Sequence, residues 1–369
     1  MTQGRSQRLS RSQRMAFIIG AIAVVIFTTR VQAAEMFDFY NGARQMAMGG
    51  AYTGVVNDET ALLTNPAGLG KLRQATLTLI DPEVEASFTN TDIVNYSNFS
   101  QALDIQKLLD LLNEAKGKHW HLKYQMFPSV VGTNFGIGLL AKYSTDAEVD
   151  EDGTVYRYDY VNDWAAALGY NFRFFGGVLK IGTTARLVDR TEVHEDLDAT
   201  ATNLSLSQVA SEGMGLAADI GVILSIPVAT LPAFSVVVRD VGNTSYTLSD
   251  GLFNQTQTRP EDSKQRIDAG FSLFPILSNN NRMTFTVDYH DITNTEEKDS
   301  MKKLHGGVEF NIHDIFFVRG GMNQRYYTAG VEFASQFFQL QATTYGEEIG
   351  TAEKPREDRR WIGKIAIRF

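Results

Sequence analysis

From about residue 74 to the end of the chain, apolar side chains recur at every second position. This is the spacing of a β-strand whose two faces meet different surroundings. The clearest stretch places Phe135, Ile137 and Leu139 on one face. The same pattern predicts fourteen strands, near 74–87, 121–131, 135–149, 154–171, 177–193, 213–225, 233–241, 266–274, 282–292, 303–311, 315–323, 325–334, 337–346 and 359–369. Most of them reach the roughly 9 to 11 residues that a tilted strand needs to cross a bilayer.

The predicted connections differ at the two ends of these strands. Six of them are short, such as 132–134 and 312–314, whereas most of the others are longer and more polar, such as 88–120 and 242–265. Short turns on one side and long loops on the other are typical of outer-membrane barrels. The sequence therefore predicts an all-β fold, a 14-stranded antiparallel transmembrane barrel. A soluble β-sandwich also alternates, but it would not require so many long strands.

The first 33 residues have the pattern of a secretory signal peptide. Four arginines precede the uncharged run Met15 to Thr29, and small residues follow at Ala33 and Ala34. The run has 15 residues, short of the roughly 20 that a helix needs to span a bilayer. Residues 34–72 do not alternate, so we predict a small N-terminal hatch there, followed by the barrel over 73–369.

Composition and motifs narrow the function further. The chain has no Cys and a net charge of -9, which excludes thiol chemistry and argues against nucleic acid as a partner. His119 and His121 share one face of a strand, but two imidazoles alone are weak evidence for a metal. No hydrolase, zinc-protease or phosphate-binding motif occurs in a fitting context. We expect no catalytic, cofactor-binding or metal site, and no enzymatic activity.

The hatch segment carries a specific resemblance. Residues 42–70, GARQMAMGGAYTGVVNDETALLTNPAGLG, resemble the hatch of FadL-type outer-membrane transporters of long-chain fatty acids and aromatic hydrocarbons. They also resemble the opening of the related PorV-type and TraF-like envelope proteins. The resemblance implies a hatch that fills the lumen and a hydrophobic ligand that leaves sideways through the wall. The hatch residues that it singles out are Gly49, Gly50, Asn65, Pro66 and Ala67.

In a barrel within lipid, the apolar face points outward and the polar face points into the lumen. The candidate lumenal polar residues are Arg186, Asp219, Arg239, Asp268, Asp288 and Arg319. The long loop after the first strand also predicts a helix over 98–116, for which packing onto its own barrel is the default. A cap over the mouth, an apolar capture groove and a partner-binding surface are the alternatives.

The functional prediction is an outer-membrane channel of a Gram-negative-type bacterium that passively admits long-chain fatty acids or aromatic hydrocarbons. The alternative is a non-transporting partner protein of a secretion or surface-assembly machinery, as in the PorV type. The expected partners are outer-membrane lipid, lipopolysaccharide and the hydrophobic ligand, with an envelope protein as a further candidate. The terminal Phe369 resembles the signal that the barrel assembly machinery recognises.

Overall fold

A computed structural model describes residues 35–36, 38–93, 99–253, 258–277, 281–295 and 297–369. The predicted signal peptide, residues 1–33, lies outside this set, as does Asn98 at the start of the predicted loop helix. Among the described residues there is no helix of the length and apolarity that a membrane crossing requires.

Sixteen strands form one antiparallel sheet that closes on itself through the pairing of β5 with β6. They are β1 (Thr76–Ile80), β2 (Glu83–Ser87), β3 (His119–Met126), β4 (Ser129–Gly132), β5 (Phe135–Val149), β6 (Val155–Phe174), β7 (Leu179–Asp198), β8 (Ser211–Ser225), β9 (Ala233–Arg239), β10 (Arg266–Leu273), β11 (Arg282–Tyr289), β12 (Leu304–Ile312), β13 (Phe316–Asn323), β14 (Tyr326–Ala334), β15 (Phe338–Glu348) and β16 (Glu357–Arg368). Because β1 and β2 are two halves of one wall strand, and β3 and β4 of the next, the wall has fourteen strands. The predicted 14-stranded barrel is confirmed.

The alternation along each strand is inverted relative to a soluble protein. On β6, Trp164, Leu168 and Tyr170 are exposed, whereas Asp163 and Ala167 are buried. Apolar side chains on the outer surface suit lipid, and the polar groups inside find partners in the lumen. A soluble sandwich would bury the opposite face, so this architecture is excluded.

The first two wall strands are each interrupted at a proline, where the sequence predicted continuous strands. Pro82 and Pro128 have no amide hydrogen and cannot donate to the ladder. At this interruption a side chain satisfies a backbone amide of the neighbouring strand, because Asp81 Oδ1 accepts from the Phe127 amide at 2.6 Å. The β1–β4 ladder ends at the Thr78 pair and the β2–β3 ladder begins at Glu83. One side-chain bond therefore bridges the two ladders.

Strands β5, β6 and β7 are 15, 20 and 20 residues long and extend beyond their neighbours at the long-loop end. Tyr156 and Tyr158 share the outward face of β6 with Trp164, and they are covered by a helix, Ile105–Glu114. Its apolar residues Leu108, Leu109 and Leu112 are buried in the same cluster. The helix packs against the outer side of its own barrel, so it does not cap the mouth.

This helix is shorter than predicted because both of its ends have a local cause. Asp104 caps its start, with the side chain accepting from the Lys107 amide at 3.0 Å. A separate 3-10 turn, Phe99–Leu103, precedes it. Beyond its end, Gly117 has φ of 74°, which is not a helical conformation. The other short helices outside the hatch are Asn90–Ile93, Phe175–Gly177 and Leu206–Val209.

The segment before the barrel crosses the lumen. It contains a helix, Ala43–Ala47, and two 3-10 helices, Glu59–Leu62 and Pro66–Lys71. On one side, the Ala43 and Ala47 carbonyls accept from Thr343 and Thr328 at 2.9 and 3.0 Å. On the other side, the second 3-10 helix packs against β6, β7 and β8. Both sides of the wall therefore hold the segment.

We expect Gly182→Ala to lower the stability of the folded barrel by about 1–3 kcal/mol, the usual cost of overpacking. A Cβ at Gly182 would overlap the backbone of Pro66 and Ala67, which leaves no room for it. Gly363→Ala is the matched control, because nothing lies within 4 Å of a Cβ at that position. The two variants are compared by thermal unfolding in detergent, followed by the gel shift of the folded form. Equal melting temperatures would contradict the close packing of hatch and wall.

Candidate functional site: the hatch and the barrel lumen

The double-glycine turn of the hatch lies directly against the barrel wall. Gly49 and Gly50 have φ of 66° and 81°, in the left-handed region that favours glycine. A Cβ on Gly49 would overlap the carbonyl oxygens of Gly306 and Met322, so the close approach also depends on the missing side chain. His305 Nδ1 is 2.9 Å from the Gly49 carbonyl oxygen, which ties this turn to β12.

The Asn-Pro-Ala motif starts the second 3-10 helix inside the lumen. Asn65 is fully buried, and its Oδ1 accepts from the Ala67 amide at 3.1 Å. Its Nδ2 donates to the Thr53 carbonyl at 2.8 Å, so both ends of the side-chain amide are used. Pro66 stands at the first helical position, where its missing amide costs nothing. The motif thus joins two parts of the hatch to each other.

The structure places the six sequence-predicted polar residues on the inward face, in four separate groups. Their contacts are Arg186 to Asp219 at 2.8 Å, Arg239 to Asp268 at 2.7 Å, and Arg319 to Glu309 at 2.7 Å, while Asp288 accepts from the Tyr52 and Thr53 amides at 2.7 Å each. Two of the six bond the backbone of the hatch directly: Asp288 accepts from it, and Arg239 Nη1 donates to the Leu63 carbonyl at 3.3 Å. The charges are paired, as buried charges must be.

A residue that sequence reasoning missed connects the hatch to this network. Arg44 lies 2.8 Å from Asp58 within the hatch and 3.1 Å from Glu309 on β12. Burial alone would raise the pKa of Asp58, but Arg44, together with hydrogen bonds from Thr60 and Tyr52, holds this pKa below its usual range. The only signal in the sequence was an arginine in the Gly-rich run ahead of the acidic stretch. The partner on β12 is 265 residues away.

A cluster near the long-loop end has the composition of a metal site. Glu35, His121 and Asp146 bring their ligand atoms within 4.8 Å of one another. However, the guanidinium of Arg360 lies 2.8 Å from Glu35 and 3.2 Å from Asp146. The arginine already neutralises these carboxylates, so the cluster is an ion-pair network formed by the start of the hatch and the wall.

On the side of β3 to β8, apolar side chains of the lumen lining pack against the hatch, next to buried charged residues such as Lys142, Asp163 and Arg190. We call the interruption of the first two wall strands at Pro82 and Pro128 the wall break. One buried cluster contains both Tyr246, on the loop after β9, and Phe127, at the wall break. The same cluster contains the wall residues Val188, Ala217, Ala165, Ala167, Leu140 and Val131 and hatch residues such as Tyr40 and Leu62, with Phe39 packed against it. We call its wall residues, together with Tyr40, Phe127 and Tyr246, the apolar track; Tyr246 lies at its long-loop end and Phe127 at the interrupted part of the wall.

Two cavities adjoin the lumen, and their linings differ. A cavity of about 20 Å³ lies between the hatch and the long loop, with Phe39, Val188, Ala217 and Tyr246 on one side. Its rim carries the cations Arg186, Arg239, Lys264 and Arg266 and the carboxylate of Asp240, and the three arginines are already paired with aspartates. A cavity of about 250 Å³ at the short-turn end is lined mainly by charged and amide side chains, among them Arg44, Arg319 and Glu332.

Comparison with known proteins identifies the fold. No family model matches the chain, and no curated protein matches it in sequence. Among solved structures, the monoaromatic hydrocarbon channel CymD superposes with a TM-score of 0.54 at 9% identity, over 89% of this chain and 96% of that chain. The Pseudomonas putida toluene transporter TodX gives 0.54 at 11% identity, over 91% and 99%. A Pseudomonas aeruginosa FadL homologue gives 0.51 at 9% identity, over 91% and 99%.

The chain has the fold of the FadL-type outer-membrane channels. The resemblance that residues 42–70 carry is therefore confirmed at the level of the fold. The FadL-type structures that match are transport channels rather than enzymes. They point to a barrel of the outer-membrane type.

We expect Arg44→Met to destabilise the folded barrel by about 3–5 kcal/mol, because the buried carboxylate of Asp58 would lose its cationic partner, while Glu309 keeps Arg319. Arg282→Met is the control, since Arg282 is 47% exposed and meets Asp314 at 3.4 Å. Surface pairs of that kind contribute at most about 1 kcal/mol. Denaturant unfolding in detergent measures the difference. Similar losses in both variants would contradict the role of Arg44 as the link between hatch and wall.

Proposed function

We propose that the protein is an outer-membrane channel of a Gram-negative bacterium for passive uptake of hydrophobic small molecules. The observation that carries the proposal is the apolar track from Tyr246 to Phe127 inside an otherwise charged lumen. A hydrophobic solute moves at low cost along apolar side chains, whereas it would have to displace buried ion pairs elsewhere. The track thus supplies a route without an energy source.

The hatch segment ahead of residue 42 closes this route. Phe39 packs onto the track, and Tyr40 belongs to it. The segment is held by lysines, with Lys142 Nζ donating to the Phe39 carbonyl at 3.0 Å and Lys123 Nζ donating to Asn41 Oδ1 at 2.6 Å. Passage requires these side chains to move, so the described state is the closed one.

We place the exit at the wall break beside Asp81 and Pro82. Four buried polar atoms around it have no hydrogen-bond partner within the described part of the chain: Thr78 Oγ1, Glu83 Oε2, Gln125 Oε1 and Ser129 Oγ. The wall is therefore held less completely there than along an unbroken ladder. The short-turn end is a poor exit for an apolar solute, because charged side chains line its cavity.

The cavity above Phe39 favours a hydrophobic ligand that carries a carboxylate. Its apolar side suits a hydrocarbon chain or ring, and its cationic rim suits an anionic head. Among the described residues, no carboxylate forms an ion pair with Lys264, which is exposed on this rim. Long-chain fatty acids combine both features, whereas a neutral aromatic hydrocarbon would use only the apolar side.

The comparisons favour transport over a non-transporting partner role. The solved structures with the same fold are described as a hydrocarbon channel and a toluene transporter. Ion pairs adjoin the apolar track, since the paired guanidinium of Arg186 lies 4.2 Å from the centre of the Phe39 ring, and a hydrophobic solute would pass along the apolar side chains next to them. A non-transporting partner protein would not require this apolar track.

Closing the wall break with a disulfide tests the exit. Thr78 and Ser129 are buried and lie directly opposite each other on β1 and β4, and the chain has no other Cys. We expect Thr78→Cys with Ser129→Cys to reduce uptake of a labelled long-chain fatty acid to near background when oxidised, and to recover on reduction.

The control pair is Ser272→Cys with Thr286→Cys, which bridges the unbroken β10–β11 ladder at the same kind of buried position. It should leave uptake unchanged in both redox states. Full uptake by the oxidised Thr78–Ser129 pair would exclude this exit. No uptake by the unmodified protein, relative to cells that lack it, would exclude the function itself.

Reversing the rim charge tests the ligand class. We expect Lys264→Glu to weaken binding of a long-chain carboxylate about tenfold, since a charge-assisted contact contributes about 1.5–3 kcal/mol. Binding of a neutral alkylbenzene should stay the same. The control is Lys354→Glu, an exposed lysine on another loop. Titration in detergent with both ligands measures the ratio, and an equal effect on both ligands would contradict carboxylate recognition.

A further inference from the structure

Two acidic residues interrupt the apolar outer face of the barrel near the long-loop end. Asp189 on β7 and Glu212 on β8 share the outward face with Leu187 and Leu216, which are 40% and 65% exposed. The two acids are only 3% and 0% exposed. Asp189 lies directly opposite Trp164 on the neighbouring strand β6. The acids are thus outward-facing yet covered, and what covers them is the loop after β9.

This loop reaches the outer face along the part of β8 that extends beyond β9, since β9 pairs only with residues 220–225 of β8. The Leu248 amide donates to the Met214 carbonyl at 2.9 Å, and the Met214 amide donates to Ser249 at 3.2 Å. Two further amides of the loop donate to the acids. The Leu252 amide donates to Asp189 Oδ1 at 3.2 Å, and the Phe253 amide donates to Glu212 Oε1 at 2.7 Å.

The apolar side chains of the same stretch point away from the protein, and the carboxylate of Asp250 between them forms an ion pair with Arg259. Leu248, Leu252 and Phe253 are 63%, 63% and 58% exposed. The Phe253 ring lies 5.9 Å from the ring of Trp164, so the apolar surface of the loop continues the lipid-facing surface of the wall. A loop in water would need no such arrangement, since water would satisfy its amides and would disfavour its apolar side chains.

We propose that residues 248–253 form a lip that inserts into the outer leaflet of the membrane, with acyl chains as its partner. Lipid offers no hydrogen bonds, so a chain segment that enters it needs its amides bonded internally. Asp189 and Glu212 supply acceptors for the two amides whose side chains are the apolar anchors. Continuity with the wall identifies lipid as the occupant, and the inference does not depend on transport.

Single-cysteine spin labelling tests the lip, since the chain has no Cys of its own. Leu248→Cys and Leu252→Cys carry a nitroxide in protein reconstituted into phospholipid bilayers. Val236→Cys, on the lipid-facing surface of β9, is the buried-in-lipid reference, and Glu151→Cys, on an exposed loop, is the aqueous reference. The readout is collision with oxygen, which is enriched in lipid, against collision with a nickel chelate, which is enriched in water.

We expect the two lip labels to show an oxygen-to-nickel ratio several-fold above that of Glu151→Cys, close to that of Val236→Cys. In the Leu252→Cys background, Asp189→Ala with Glu212→Ala should shift the ratio toward the aqueous reference. Three results would overturn the proposal: an aqueous ratio at both lip positions, a ratio that the double substitution leaves unchanged, or protection from both reagents in a dimeric barrel, which would identify a second copy as the occupant.

Discussion

The hydrogen-bond ladder of the wall is the constraint on which the rest of the structure depends. Lipid offers no partner to a backbone amide, so the sheet must close and every strand must pair on both sides. Closure turns the apolar face outward and confines the polar face to the lumen. Where the ladder is interrupted, at Pro82 and Pro128, the carboxylate of Asp81 accepts from the Phe127 amide. This interruption is also where the apolar track meets the wall.

The charged and the apolar residues of the lumen surface have different roles. Beside β9 to β16, charged residues bind one another and the hatch, as Glu309 does by accepting from both Arg44 and Arg319. Beside β3 to β8, small and apolar residues such as Ala165 and Val188 pack against the same hatch, among charged residues such as Lys142. Ion pairs fix position because they need specific geometry, whereas apolar contact permits sliding. Both sides therefore hold the hatch, and the apolar residues beside β3 to β8 supply the proposed path.

The sequence predicts the barrel well because alternation is a local property that persists through each strand. It predicts less where structure depends on contacts between distant residues. The breaks at Pro82 and Pro128 lie within an unbroken alternation, and only the prolines themselves signal them. Asp189 and Glu212 occupy outward positions that the pattern reserves for apolar residues, and their partners come from a loop. The link from Arg44 to Glu309 depends on a register that no local pattern contains.

The proposed lip and the proposed exit share a physical logic. The loop after β9 places Tyr246 in the apolar track and Phe253 on the outer face, so one connection joins the outer leaflet to the lumen. The break near Phe127 joins the other end of the track to the wall. A hydrocarbon chain gains about 0.8 kcal/mol for each methylene kept out of water, so about ten methylenes contribute about 8 kcal/mol. A route with apolar surface at both ends retains this free energy throughout, which explains why passage needs no energy source.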